Sequence, residues 1–161
     1  MRATLLHCRI TCICWTKPGL LGVFEKYSPN KLRQRAASPK FLVHNNAILS
    51  GYAAFAFQSL RADLEHWGRW VESAIGAHLL NQAFKYSELQ LYYWREGNYE
   101  VDFVLEYRGK AVAIEVKSGP QGRFAGLHAL HKLYPDVKSF VVGAGGMPWE
   151  EFLKIDALQL F

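Results

Sequence analysis

No stretch of this sequence stays apolar for anything near the roughly 20 residues a membrane-spanning helix needs, so no spanning segment and no membrane association are expected. Nowhere does G-x-x-x-x-G-K-[ST] occur, which excludes P-loop hydrolysis of ATP by this chain alone. The GAGG at 143–146 lacks the spacing of a G-x-G-x-x-G dinucleotide fingerprint. Cysteine is confined to Cys8, Cys12 and Cys14, and no further ligands at metal-cluster spacing accompany that run. A secretory leader is poorly matched, because Arg9 breaks the apolar stretch and no small-residue cleavage site follows; a cytoplasmic location is expected. Internal repeats are lacking. Acidic residues are absent from KYSPNKLRQRAASPK, residues 26–40.

What remains is rich in core-forming residues. Half of the 161 residues are apolar, with five Trp, eight Tyr and ten Phe, which argues against disorder and for one soluble domain. The formal charge is +5, concentrated in the acid-free stretch through Lys26, Lys31, Arg33, Arg35 and Lys40. Such a run can grip phosphates, so Lys31, Arg33, Arg35 and Lys40 are weak candidates for nucleic-acid contact. The competing reading is a solvated loop preceding a strand.

Periodicity gives an order of elements. Lys40–His44 reads as a short strand, and Asn45 or Asn46 as the cap of a helix entering AILSGYAAF. Leu64–Asn81 is the clearest helix, with Trp67, Trp70 or Val71, Ala74, Ile75, His78 and Leu79 near helical spacing and Glu72 beside that stripe. Strands follow at Glu88–Trp94, Tyr99–Glu106 and Ala111–Lys117. A helix near Arg123–Leu133 is ended by Pro135, and after it come a strand Lys138–Val142, the GAGG turn and a short helix from Pro148. The order predicts an α/β fold, a mixed central sheet flanked by helices, with the last strand added parallel through a crossover. His128 and His131 share a helical face, but no third ligand follows at suitable spacing. Tyr92, Tyr93 and Trp94 could stack on bases, although aromatic strand residues more often belong to a core.

The chemistry lies in YEVDFVLEYRGKAVAIEVKSG, residues 99–119. Strand alternation puts Val101, Phe103 and Leu105 on one face and Glu100, Asp102 and Val104 on the other. In the second run Val112, Ile114 and Val116 oppose Ala113, Glu115 and Lys117. If the two runs pair across the RGK turn, Asp102, Glu115 and Lys117 lie on one sheet face. Residues two apart on a strand are roughly 6.5–7 Å apart, so Glu115 can hold a cation while Lys117 reaches a water bound to it. A hard cation such as Mg²⁺ takes one or two carboxylates and completes its shell with phosphate oxygens. The plainer alternative is three solvent-facing charges on a hairpin, with Glu115 and Lys117 a weak pair.

Glu72, Asp102 and Glu115-Val116-Lys117 resemble the PD-(D/E)XK nuclease-like superfamily, in which a helical Glu, a strand Asp and an E-x-K strand converge on a metal. More narrowly, ASPKFLVHNNAIL (37–49), WGRWVESAIGAHLLN (67–81), LYYWREGNYEVDFVLE (91–106) and IEVKSG (114–119) look like a domain of unknown function at the C-terminus of prokaryotic AAA-type ATPases. The likeness spans about residues 19–161. It implies a restriction-endonuclease-like fold and a Mg²⁺-dependent (or Mn²⁺-dependent) nuclease acting on DNA, with a P-loop ATPase domain normally on the same chain. Asp102 and Glu115 would hold the metal, Lys117 would act on the water, and Glu72 would be the helical carboxylate. Val101 stands where the superfamily has Pro. The resemblance also admits a second role, a catalytically inactive module that binds nucleic acid or a partner for the ATPase.

Residues 1–18 have neither a helical nor a strand period. Permitted codons of Cys12–Thr16, read one base earlier, encode Leu, His or Tyr, Leu, Leu, Asp, and the shifted frame extends into an amphipathic helix with a Gly stop. That shifted helix is similar to what the resembling ATPases carry before LLGVFEKYS, which is in frame here at Leu20–Ser28. The expectation is an aberrant segment at 1–18, out of frame, followed by a nuclease-like domain at 19–161.

Overall fold

The computed structural model describes residues 20–52, 57–118 and 124–161; the segment 1–18 and Arg123 lie outside them. Six strands form one sheet: β1 (Leu21–Lys26), β2 (Lys40–Val43), β3 (Leu89–Glu96), β4 (Tyr99–Tyr107), β5 (Lys110–Lys117) and β6 (Lys138–Gly143), in the spatial order β2-β1-β3-β4-β5-β6. The helices are α1 (Lys31–Ala36), α2 (Asn46–Tyr52), α3 (Phe57–Ala62), α4 (Leu64–Lys85), α5 (Ala125–Leu133) and α6 (Trp149–Phe152), with a 3₁₀ turn at Ala157–Leu160. The fold is α/β with a mixed sheet, as the order of elements predicts. β5 and β6 run parallel from Val112 opposite Lys138 to Lys117 opposite Gly143, joined by the crossover through α5. Among the described residues no helix is long and apolar enough to cross a membrane.

Two segments depart from the sequence reading. The acid-free stretch is not simply a loop, because α1 occupies Lys31–Ala36 and β1 precedes it, pairing antiparallel with β2 and parallel with β3. β1 is too short and too close to the charged run to be seen by alternation alone, and its partners are distant in sequence. Helix α4 runs on to Lys85, four residues past the expected end. Its start is sharp, because Asp63 Oδ1 accepts from the Glu65 and His66 N–H groups at 3.1 Å each.

Helix α4 lies on one face of the sheet. Its Val71, Ile75, Leu79 and Leu80 are buried with Phe24, Leu91, Phe103, Leu105, Val112, Ile114 and Phe152. A Cβ at Gly76 would meet Leu42 and Phe103 side-chain carbons at 2.8 Å, so the missing side chain is what lets the helix sit this low on the sheet. Helix α5 covers the other face, where Leu127 and Leu130 pack with Trp94, Val101, Val104 and Ala113. Trp94 is thus core, and Tyr93 is buried with its hydroxyl donating to Ser38 O at 2.6 Å, so neither stands free as a base-stacking platform.

The C-terminal segment is latched to the end of α4. Asp156 accepts from Lys85 Nζ at 2.9 Å, from the Tyr86 hydroxyl and from the Leu158 N–H, and these donors hold its carboxyl down at about 2. A carboxyl depressed in the folded state stabilises above its unfolded value near 4, and that contribution is lost as pH falls through about 2. Asp156→Asn is therefore expected to melt below wild type at pH 7, with the two melting temperatures converging as pH approaches 2. Thermal denaturation at a series of pH values checks this.

Candidate active site

The site forms where the β4–β5 ladder stops. Phe103 opposite Ile114 is the last pair toward this end of the two strands. Beyond it the Val116 N–H donates to the Asp102 carboxylate at 2.8 Å, a side chain standing in for the missing backbone acceptor. A β-bulge lies at the same place. Tyr92 faces Val104 but Trp94 faces Val101, so Asp102 and Phe103 together oppose Tyr93. This corrects the simple alternation: Val101 does not share a face with Phe103 and Leu105 but packs with Val104 beneath α5. A bulge shifts the phase by one residue, re-aims the side chain at the extra position and is common beside active sites.

Glu115 sits one residue past the last pair and is buried, with 5% of its surface exposed. Its Oε1 accepts from Lys117 Nζ at 2.6 Å, while Oε2 is buried without a partner. The backbone beneath Lys117 is fixed by the GAGG turn: Ala144 N–H donates to Lys117 O at 2.8 Å, and a Cβ on Gly143 would lie 2.0 Å from that oxygen. With φ at +95°, Gly143 serves both the turn and this close approach.

Glu72 reaches the same place from α4. Burial first, and then the negative charge of Asp102, push its carboxyl up to about 7. Glu115 is likewise raised to about 7, by burial, then by Asp102, with Lys117 opposing. Asp102 is raised by burial, against the Val116 hydrogen bond and the positive charges of Lys117 and Lys40. These mutual effects place Glu72, Asp102, Glu115 and Lys117 near one another; strand spacing anticipates this for Asp102, Glu115 and Lys117, and for Glu72 only the family resemblance implies it. Lys40 and Glu100 join them. Lys40 Nζ is hydrogen-bonded to Glu100 Oε1, and Arg95 Nε lies 3.6 Å from Glu100 Oε2. Glu100 and the placement of Lys40 beside the carboxylates were not legible in the sequence, since β2 and β4 are 60 residues apart at this pair. Lys31, Arg33 and Arg35 fall on α1, and their side chains lie outside the described ones.

Carboxylates raised in the folded state weaken folding as they ionise. With Glu72 and Glu115 near 7 folded and about 4.5 unfolded, their stabilising contribution is full below about 4.5 and lost as pH rises through about 7. In the presence of a chelator, melting temperature is expected to fall over that window, and Glu72→Gln to flatten the fall. Thermal melts from pH 4.5 to 8 check it.

The residues suit a hard divalent cation. Two carboxylates, Asp102 and Glu115, converge at the end of a ladder, and the partnerless buried Oε2 of Glu115 is an oxygen donor in need of a positive partner. Among the described residues no group of three or more His, Cys, Asp or Glu side chains is arranged to hold a metal ion by itself, so Asp102 and Glu115 alone are the candidate ligands. His131 instead meets Ser139 Oγ at 2.5 Å, and His128 lies on the surface of α5. Two surface cavities, of about 530 and 470 Å³, lie at the β4–β5 turn and beside α5, and neither is lined by the carboxylates.

The family model described as a domain of unknown function (DUF4143) matches residues 67–159 and so takes in Glu72, Asp102, Glu115 and Lys117. None of the curated proteins and none of the solved structures matches the chain. The family match extends over more than half of the sequence and over all four residues of the site, and the chain belongs to this DUF4143 family.

Proposed function

We propose that the domain is a PD-(D/E)XK-type nuclease that cleaves DNA with Mg²⁺ (or Mn²⁺), normally appended to an AAA-type ATPase. The observation that carries this reading is the pairing of Lys117 Nζ with Glu115 Oε1 at 2.6 Å while Glu115 Oε2 is buried without a partner, beside Asp102 at a broken ladder. A surface ion pair would expose both oxygens to water; here one oxygen is withheld from solvent and left unsatisfied. That distinguishes the site from solvent-facing charges on a hairpin.

Asp102 and Glu115 would hold the cation, which when bound polarises a phosphodiester oxygen and lowers the pKa of an attacking water. The protein's own groups have separate tasks. Asp102 is oriented by the Val116 N–H, which donates to its Oδ2 at 2.8 Å. Lys117, two residues beyond Glu115 on the same strand face, orients the attacking water and offsets the negative charge that builds on phosphorus. Glu72, its carboxyl pushed up to about 7 by burial and then by Asp102, would donate a hydrogen bond when protonated or take up a proton when ionised. The test is incubation of supercoiled plasmid with the full chain and Mg²⁺, with a chelator as control. Nicking or linearisation that needs the metal is expected. DNA binding without cleavage, unchanged in Lys117→Ala and Asp102→Ala, would favour the non-catalytic recognition module.

A further inference from the structure

Lys117 Nζ is paired with Glu115 Oε1, and a protein is positioned on DNA by cationic side chains on its phosphates. Among the described residues, Lys40 is the other cation that acts on both Glu72 and Asp102. It stands at the start of β2, reaches across β1 and β3, and places its ammonium on Glu100 Oε1 and 5.2 Å from the centre of the Tyr93 ring. Tyr93 is itself pinned by its hydroxyl bond to Ser38 O, so the ring is a fixed shelf for the ammonium. Glu100 has a second cation in Arg95, at 3.6 Å, which keeps it compensated when Lys40 leaves.

We infer that Lys40 is a backbone-positioning residue that exchanges partners, resting on Glu100 in the free protein and moving to a DNA phosphate when substrate lies across the sheet end. The inference rests on the nuclease reading and adds a division of labour between two lysines on opposite sides of Asp102. A lysine that served only to fasten β2 to β4 would not need Arg95 on the same carboxylate. Nor would it need to lie at the metal carboxylates, where four acidic groups (Glu72, Glu100, Asp102 and Glu115) would otherwise repel a polyanion. Lysine suits the task because its charge is compact and its stem flexible, so it can swap one oxygen anion for another without a fixed fork geometry.

The test is fluorescence anisotropy of a labelled duplex with the full chain in chelator, across a range of salt, for wild type, Lys40→Ala, Lys40→Arg and Glu100→Gln. Cleavage kinetics are measured in parallel with Mg²⁺. Lys40→Ala is expected to raise Kd roughly tenfold and to lower the slope of log K against log salt by about 0.9, the value of one lost phosphate contact. It should raise KM more than it lowers kcat, Lys40→Arg should recover most of the binding, and Glu100→Gln, which frees Lys40, should tighten it. An unchanged salt slope in Lys40→Ala, or a fall in kcat alone, overturns the inference while leaving the nuclease reading intact. If Lys40→Ala does not fold, weaker binding by Glu100→Gln, which keeps Lys40, overturns it instead. A wild-type chain that binds no duplex at low salt removes the nuclease reading and this inference together.

Discussion

Lys117→Ala and Asp102→Asn are each expected to lower Mg²⁺-dependent DNA cleavage by about 10²–10³-fold, the loss typical when one preorganised electrostatic group is removed from a reacting centre. The two fail for different reasons. Lys117→Ala would remove the cation proposed to act on the water and would take from Glu115 Oε1 the hydrogen bond that Nζ donates. Asp102→Asn keeps the size of the side chain but takes away the charge of a proposed metal ligand, so its loss should be partly recovered at high metal concentration. Lys117→Ala should not recover. Because the two act within one cluster, the double variant is expected to be little worse than the worse single one. Plasmid cleavage rates at a series of Mg²⁺ concentrations measure this. Rates within threefold of wild type for either single variant would remove those residues from the chemistry.

The largest effect on folding is expected from Phe103→Ala. Phe103 has 1% of its surface exposed, sits 6.0 Å ring to ring from Phe24, and supplies the carbon on which Gly76 of α4 rests. Truncating a buried Phe to Ala costs about 3–5 kcal/mol in transfer and cavity terms, a large part of the roughly 5–15 kcal/mol that holds an ordinary domain folded. In a urea melt the midpoint should drop with little change of slope. The position has a second consequence, because Phe103 is the bulge partner of Asp102. Loosening it should also weaken metal binding in whatever fraction remains folded. A loss under 1 kcal/mol would mean that α4 is not held against the sheet at this residue.

Much of this was legible in local pattern. The alternation in β4 and β5 exposed which charged residues stand in otherwise buried strands, and the E-x-K spacing put Glu115 and Lys117 on one face, where their side chains meet at 2.6 Å. The 3.6-residue spacing from Val71 to Leu79 located α4 and left Glu72 at its edge. What was not legible depends on partners far away in sequence. The bulge at Asp102 and Phe103 exists only relative to Tyr93 on β3, so β4 read alone looks regular and assigns Val101 to the wrong face. β1 is defined by β2 and β3, not by its own six residues. Lys40 looked like one of several cations in a basic run, and only the sheet order brings it to Glu100. The family likeness reached the same four site residues by succession of motifs, which carry such distant pairings implicitly.

The central claim, that Asp102 and Glu115 hold a divalent cation, is tested most directly by Mn²⁺ binding to the full chain at pH 8, followed by electron paramagnetic resonance. Wild type is expected to remove about one Mn²⁺ from solution per chain, Mg²⁺ to displace it, and Asp102→Asn and Glu115→Gln each to weaken binding at least tenfold, with Lys40→Ala keeping it. Mn²⁺ binding that is absent in wild type, or equal in wild type and both carboxylate variants, would contradict the account.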